Sequence, residues 1–288
     1  MNNIKKVLII GSKGFIGSYV KKSIEANNSY EIFEGSKLNI DLRNIKSFIN
    51  GFNKVRPDVI INLAAFSHLD KSSYENIFEL NCFAIIRIIE FLIKEKYSGR
   101  FINTSSALVY GSQVNGLLSE DMPLKPDHTY AVAKSTVDNL FNLIQKDLRA
   151  TSVRPFNCIG VGHRMDYVVP KIINHFIKKK KTIELGDISA KRDFIDVRDV
   201  GEMYHIIAKS EQTYPAINLC SGKVYSIKKI VEMLEEISNQ KIKIISKKKF
   251  MRASDNKLMQ GDNKIIKSLG FEYLYDINET LEWIYKNS

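Results

Sequence analysis

The stretch KKVLIIGSKGFIGSYVKKSIEA, residues 5–26, decides the fold. Val7 to Ile10 form a short, continuous apolar run, which reads as a strand buried on both faces. Gly11, Gly14 and Gly17 follow in a GxxGxxG pattern, and a helix is predicted through FIGSYVKKSIEA. Glycine permits a tight turn and close backbone approach, while a helix N-terminus offers free amides to a pyrophosphate. Three glycines between a strand and a helix therefore favour a dinucleotide site over a plain turn.

The same alternation continues outward. YEIF (30–33) reads as a strand, NIKSFINGFNKV (44–55) as a helix and DVIINLAA (58–65) as a strand. A long helix is predicted from Tyr74 to Lys96, with Ile77, Leu80, Ala84, Ile88 and Phe91 on one face. The strand RFINTSS (100–106), the helix TYAVAKSTVDNLFNLIQKDL (129–148) and the strand TSVRPFN (151–157) complete the series. Alternation of this length implies an α/β fold with a doubly wound parallel sheet.

At 288 residues and 44% hydrophobic, the chain suffices for one large or two modest domains with buried cores. Val7 to Ile10 is too short for the core of a signal peptide, and Arg87 interrupts FAIIRIIEFLI, so no bilayer-spanning segment is expected. A cytoplasmic protein without a membrane partner is the expectation. Cys82, Cys158 and Cys220 lie too far apart for a disulfide framework or a zinc site, and read as small core hydrophobes. No metal is expected. The net charge of +11 includes lysine runs at 178–181 and 247–249. Neither run is interleaved with stacking aromatics, so both read as solvated surface rather than a nucleic-acid contact. The positive field suits a phosphorylated substrate.

Tyr-x-x-x-Lys occurs at Tyr130/Lys134, Tyr167/Lys171 and Tyr225/Lys229. Pro170 is expected to spoil the helical turn of the second pair, and the third has no serine-rich strand end behind it. Tyr130 and Lys134 follow NTSSALVYG, which puts Ser106 at the carboxyl end of the fourth strand, the edge where open α/β sheets bind ligands. A lysine one turn away favours phenolate and lowers a tyrosine pKa, and a serine hydroxyl can share the hydrogen bond to a carbonyl oxygen. Together they make a proton donor for carbonyl reduction.

GSKGFIG, NLAAFSHLDKS, the asparagine of ELNCF, SSALVYG and YAVAK resemble, in order and spacing, the extended short-chain dehydrogenases/reductases acting on nucleotide sugars. That resemblance implies a Rossmann-type domain over 1–160, rejoined by about 190–220. It also implies a smaller α/β nucleotide-sugar-binding domain from 161–190 and 221–288. Ser106, Tyr130 and Lys134 would be catalytic. The dinucleotide would be held by Gly11, Gly14, Phe15, Ile16, Gly17, Asp41, Leu42, Leu63, Ala64, Ala65 and Asn81, with Tyr130 and Lys134. Of these, Asp41 would contact adenine and Asn81 the region of the nicotinamide ribose.

The second half, with VRPFNCIGVG, AKRDFIDVRDV, NLCSGKVYSIKKIVEML and FMRASDNKLMQGDNKIIKSLGF, most resembles the GDP-6-deoxy-D-mannose reductases, which reduce the 4-keto group of GDP-4-dehydro-6-deoxy-D-mannose. By that likeness Asn157, Arg192, Arg252 and Asp255, with Ser106, would hold substrate; arginine suits phosphate and aspartate accepts from ribose hydroxyls. Arg192 and Asp193 can also be read as a surface ion pair. Val161 and Ala253 stand where proline is usual. The acidic pair that the resembling dehydratases carry after the catalytic serine or threonine is here Ala107 and Leu108. The cysteine and histidine of the epimerase-reductases are here Leu108 and Tyr167, so enolisation lacks its acid/base groups.

The expectation is thus a homodimeric nucleotide-sugar 4-ketoreductase. The alternatives are a 4-epimerase with tightly held NAD and, from another class, a non-catalytic dinucleotide-binding regulator. At the end of the second strand, FEGSK leaves the cofactor open: Ser36 and Lys37 suit the 2′-phosphate of NADPH, the preferred reading, and Glu34 the free ribose hydroxyl of NADH.

Overall fold

The computed structural model describes residues 4–27, 29–67, 72–112, 115–247 and 258–288. Strand and helix alternate as β1 (Lys5–Ile10), α1 (Phe15–Glu25), β2 (Tyr30–Glu34), α2 (Ile45–Val55), β3 (Val59–Asn62), α3 (Tyr74–Phe78), α4 (Ala84–Lys94) and β4 (Arg100–Thr104). Next come β5 (Gly116–Leu118), α5 (Thr129–Leu143), β6 (Arg149–Pro155), β7 (Asn157–Ile159), α6 (Val168–Ile177), β8 (Thr182–Leu185), β9 (Lys191–Asp196), α7 (Val197–Lys209) and β10 (Ala216–Leu219). The chain closes with β11 (Val224–Ser226), α8 (Ile227–Ser238), β12 (Lys243–Ser246), β13 (Leu258–Gly261), α9 (Lys264–Ser268) and α10 (Ile277–Asn287).

Among the described residues the main sheet has six parallel strands in the order β2-β1-β3-β4-β6-β10. Alternate side chains of its central strands enter opposite cores, as the pleat requires. Leu8, Ile10, Ile60 and Phe101 pack with α2, α4 and α5 on one face. Val7, Ile9, Ile61 and Ile102 pack with α1 and α7 on the other. Val7, Leu8 and Ile9 are fully buried, each worth about 1.5–3 kcal/mol of burial. This two-sided demand explains why β1 carries no polar residue between Val7 and Ile10.

A second sheet runs β11-β9-β13-β5, with β7 also paired to β9, and β12 pairs with β8. Its own core lies among α6, α8 and α10. Two short pieces cross between the units: β5 pairs with β13, and Ile266 of α9 enters the core beneath α1 and α7.

Three predicted elements differ in detail. The long helix is α3 and α4 joined by a π turn at Glu79–Phe83, where Asn81 Nδ2 reaches the Phe66 carbonyl at 3.1 Å. The helix predicted to run to Leu148 stops at Leu143, because Gln145 Nε2 captures the carbonyls of Phe141 and Ala150 at 2.7 and 2.9 Å. TSVRPFN divides at Phe156: β6 stays in the main sheet, and β7 leaves it to pair with β9.

Candidate active site

β1 has β2 on one side and β3 on the other, so the strand order reverses beside it and a crevice opens at the carboxyl ends. The glycine turn lines that crevice. Gly11 has φ +85°, and a Cβ there would stand 2.6 Å from the Ala64 amide nitrogen. At Gly17 a Cβ would stand 2.1 Å from the Gly11 carbonyl oxygen. Gly14 is the N-cap of α1 and contributes no capping side chain, so first-turn amides remain for an anion. These features fit a dinucleotide pyrophosphate. Phe15 and Ile16 are half-buried behind the turn, Leu63 and Ala64 border it, Ala65 is exposed, and Leu42 is buried in the core.

At the end of β2, Glu34 accepts from Ser12 Oγ at 2.9 Å, Lys37 Nζ at 2.7 Å and Lys21 Nζ at 3.1 Å. The hydrogen bonds of Lys37, Ser12 and Lys21 hold its carboxyl down at about 2. Asp41 is exposed and bound by Arg43 through Nη2 at 2.9 Å. Asn81 is fully buried in the π turn, and its Oδ1 has no partner among the described residues.

Ser106 caps the 3₁₀ turn Ala107–Tyr110, its Oγ accepting from the Leu108 amide at 3.2 Å and keeping its own proton for donation. That turn packs against α5. Tyr130 is half-buried on the first turn of α5, and Lys134 Nζ lies 5.9 Å from its ring centroid. Lys134 is 1% exposed and donates to the Thr104 carbonyl at 2.7 Å. Burial pushes its pKa down to about 8, while the Asp138 carboxylate pulls the other way.

The rival pairs are arranged differently. Tyr167 is the N-cap of α6, and its carbonyl accepts from the Lys171 amide at 3.0 Å. Pro170 does not spoil that turn as expected, since a first-turn proline leaves an amide missing where no helical partner exists. Tyr225 is on β11 and Lys229 on α8.

Of the proposed substrate residues, Asn157 Nδ2 donates to the Asp193 carbonyl at 2.8 Å, and Arg192 Nη1 to the Lys191 carbonyl at 3.0 Å. Asp193 is not half of a surface ion pair: it is fully buried, and its carboxylate accepts from Ser221, Gly222 and Gly261 amides at 2.8, 2.9 and 3.2 Å. Arg252 and Asp255 lie outside the described residues. The three cysteines are buried and free. Among the described residues no side-chain cluster could hold a metal, and no helix is long and apolar enough to cross a membrane.

Sequence reasoning overlooked the segment after β7. His163 stacks on Phe15 beside the glycine turn, and Arg164 Nη1 reaches Ser67 Oγ beyond β3 at 3.3 Å, so the segment bridges the start of α1 and the chain after β3. Neither contact had a local signal, because the partners are far apart in sequence. It also overlooked Asp138, although its place one turn after Lys134 was legible.

A glycine turn at the switch point of a doubly wound sheet, with serine, tyrosine and lysine at its carboxyl edge, defines the class of short-chain dehydrogenases/reductases. The model for GDP-mannose 4,6-dehydratase matches residues 22–284, and the chain belongs to that family of NAD(P)-dependent nucleotide-sugar enzymes. It is 32% identical to GDP-6-deoxy-D-talose 4-dehydrogenase of Aggregatibacter actinomycetemcomitans, covering 98% of this chain and 97% of that one. It is 24% identical to GDP-6-deoxy-D-mannose reductase of Pseudomonas aeruginosa, covering 90% and 88%. Among solved structures it resembles a putative epimerase from Burkholderia cenocepacia, with TM-score 0.90, 25% identity and coverage of 99% and 98%. The fold is shared with RMD from Pseudomonas aeruginosa complexed with NADPH, with TM-score 0.87, 23% identity and coverage of 98% of both chains.

Proposed function

We propose that the protein reduces the C4 ketone of a nucleotide-linked 4-keto-6-deoxyhexose, GDP-4-dehydro-6-deoxy-D-mannose, in deoxysugar synthesis. The observation that carries this reading is Tyr130 and Lys134 on α5 packed against the Ser106 turn, at the carboxyl edge of the main sheet. The names of two relatives support the substrate: 6-deoxy-D-talose and 6-deoxy-D-mannose differ only at C4, so oxidising either there leads to one ketone.

The Gly11 to Gly17 turn would hold the pyrophosphate of a reduced nicotinamide dinucleotide, which when bound would supply the hydride for C4. Tyr130 protonates the C4 oxygen as negative charge develops, and Ser106 donates a hydrogen bond to it. Lys134 places its charge beside the phenol, which stabilises phenolate after proton transfer. The unit built on α6, α8 and α10 binds the nucleotide sugar, with Asn157, Arg192, Arg252 and Asp255 on its diphosphate and ribose. Lys37 suits NADPH at the end of β2. A homodimer and a cytoplasmic location belong to the same proposal on family resemblance.

The test is incubation of the GDP-linked ketone with deuteride-labelled NADPH or NADH. The expected product carries one deuterium at C4, and the H3–H4 coupling shows whether the configuration is manno or talo. No ketone-dependent cofactor oxidation, or copurified NAD with C4 inversion, sinks the reductase reading.

A further inference from the structure

The proposed catalytic groups arrive on separate segments, Ser106 at the head of its 3₁₀ turn and Tyr130 and Lys134 on α5. A buried hydrogen-bonded chain joins those segments behind the site. Asp138, one turn beyond Lys134, accepts from Arg154 Nε at 2.8 Å and from the Ser152 hydroxyl. Arg154 Nη1 donates to the Tyr110 hydroxyl, the last residue of the serine turn, at 2.8 Å, and to the Glu120 carbonyl at 3.0 Å. Tyr110 in turn donates to Asn218 Oδ1 on β10 at 2.8 Å.

The Arg154 and Asp138 side chains are 2% and 0% exposed. An ion pair this deep is weak evidence for stability, because desolvation offsets much of its attraction. What the geometry does supply is a rigid link. A guanidinium presents its donors in a fixed fork, so gripping a carboxylate and a phenol together sets the angle between the elements that carry them. We propose that Arg154 is a positioning residue of the reduction, holding the tyrosine–lysine helix through Asp138 and the serine turn through Tyr110. The inference rests on the catalytic assignment of Ser106, Tyr130 and Lys134.

The chain also bears on charge. Asp138 is the carboxylate that favours the ammonium form of Lys134 against burial. Around these two groups stand Arg154 from β6, the Thr104 carbonyl from β4 and the Tyr204 hydroxyl from α7, bonded to Thr104 Oγ1. Tyr110 and Glu120 complete the surroundings on the serine-turn side. The α3 and π-turn segments packed against α5 carry exposed Glu75, and Glu79 paired with Arg87. Neutralising Asp138 therefore makes Lys134 lose its proton at lower pH.

Two variants test the proposal. Tyr110→Phe cuts the chain while keeping the ring, and the double variant Asp138→Asn/Arg154→Met removes both charges so that no ion is left buried alone. Folding is checked by thermal melting, and turnover by steady-state kinetics across pH. Each variant should lose about tenfold or more in kcat. The KM for the nucleotide sugar and the Kd for NADPH should stay within roughly twofold of wild type. In the double variant the alkaline limb of kcat should move to lower pH, whereas in Tyr110→Phe it should stay, a split that a merely structural role does not produce. Folded variants with wild-type kcat and pH profile overturn the proposal, and Tyr110→Phe decides alone if the double variant does not fold. Tyr130→Phe is measured alongside. If it is inactive while the two variants turn over normally, only the positioning role fails; if it is fully active, the catalytic assignment fails and takes this inference with it.

Discussion

His163 lies flat on Phe15, ring centroids 4.3 Å apart and planes within 3° of parallel, and Tyr167 packs on the same imidazole at 4.3 Å. Its Nδ1 has no partner among the described residues, and burial pushes its pKa down to about 4. The folded state therefore keeps this ring neutral where the unfolded chain would protonate it. Stability from this source is complete above the unfolded value of 6.5 and is lost as pH falls from there to about 4, by an amount on the order of 3 kcal/mol. His163→Phe should flatten that part of the stability–pH curve in denaturant melts at pH 7 and pH 4.5. An unchanged slope would remove His163 as its source.

The three glycines of the turn are equal in sequence and unequal in space. Gly11 has φ +85° with Ala64 backbone 2.6 Å from a Cβ, and Gly17 would press a Cβ 2.1 Å from the Gly11 carbonyl. Gly14 has φ −72° and a nearest atom at 3.3 Å. Gly11→Ala and Gly17→Ala should each destabilise by more than about 2 kcal/mol, and Gly14→Ala by less than about 1 kcal/mol. Thermal melts of the three variants check the ranking.

Tyr130→Phe removes the proposed proton donor and keeps the ring. Turnover should fall by roughly a hundredfold or more while dinucleotide affinity changes little. Tyr167→Phe and Tyr225→Phe should retain proton donation. Near-normal kcat for Tyr130→Phe in a steady-state assay would end the assignment.

Lys37 is 75% exposed at its side chain and ends 2.7 Å from Glu34, which Ser12 and Lys21 also hold. On the proposed NADPH reading, Lys37 released from Glu34 would pair with the 2′-phosphate, which NADH lacks. Lys37→Ala should raise the KM for NADPH about fivefold or more and leave that for NADH nearly unchanged. Equal changes for both cofactors would place the discrimination elsewhere.

Local physics made much of this protein legible from sequence alone. A four-residue apolar run closed by a glycine turn and followed by a helical pattern suits a strand buried on both faces, so Val7 to Ile10 announced the parallel sheet, and the glycines after it announced the turn at its edge. The spacing of Tyr130 and Lys134 needed only the helical repeat. Tertiary structure decided everything that depends on partners distant in the chain. The π turn at Glu79–Phe83 is set by Asn81 reaching the Phe66 carbonyl, against what periodicity favours. Asp193 beside Arg192 looked like half of a surface pair until folding closed Ser221, Gly222 and Gly261 around it. Arg154, 20 residues beyond Lys134 in the numbering, met Asp138 and Tyr110 only because β6 runs beneath both α5 and the serine turn. Periodicity reports which face of an element is apolar; which buried charge meets which is fixed by packing, where a lone ion is too costly to leave without its partner.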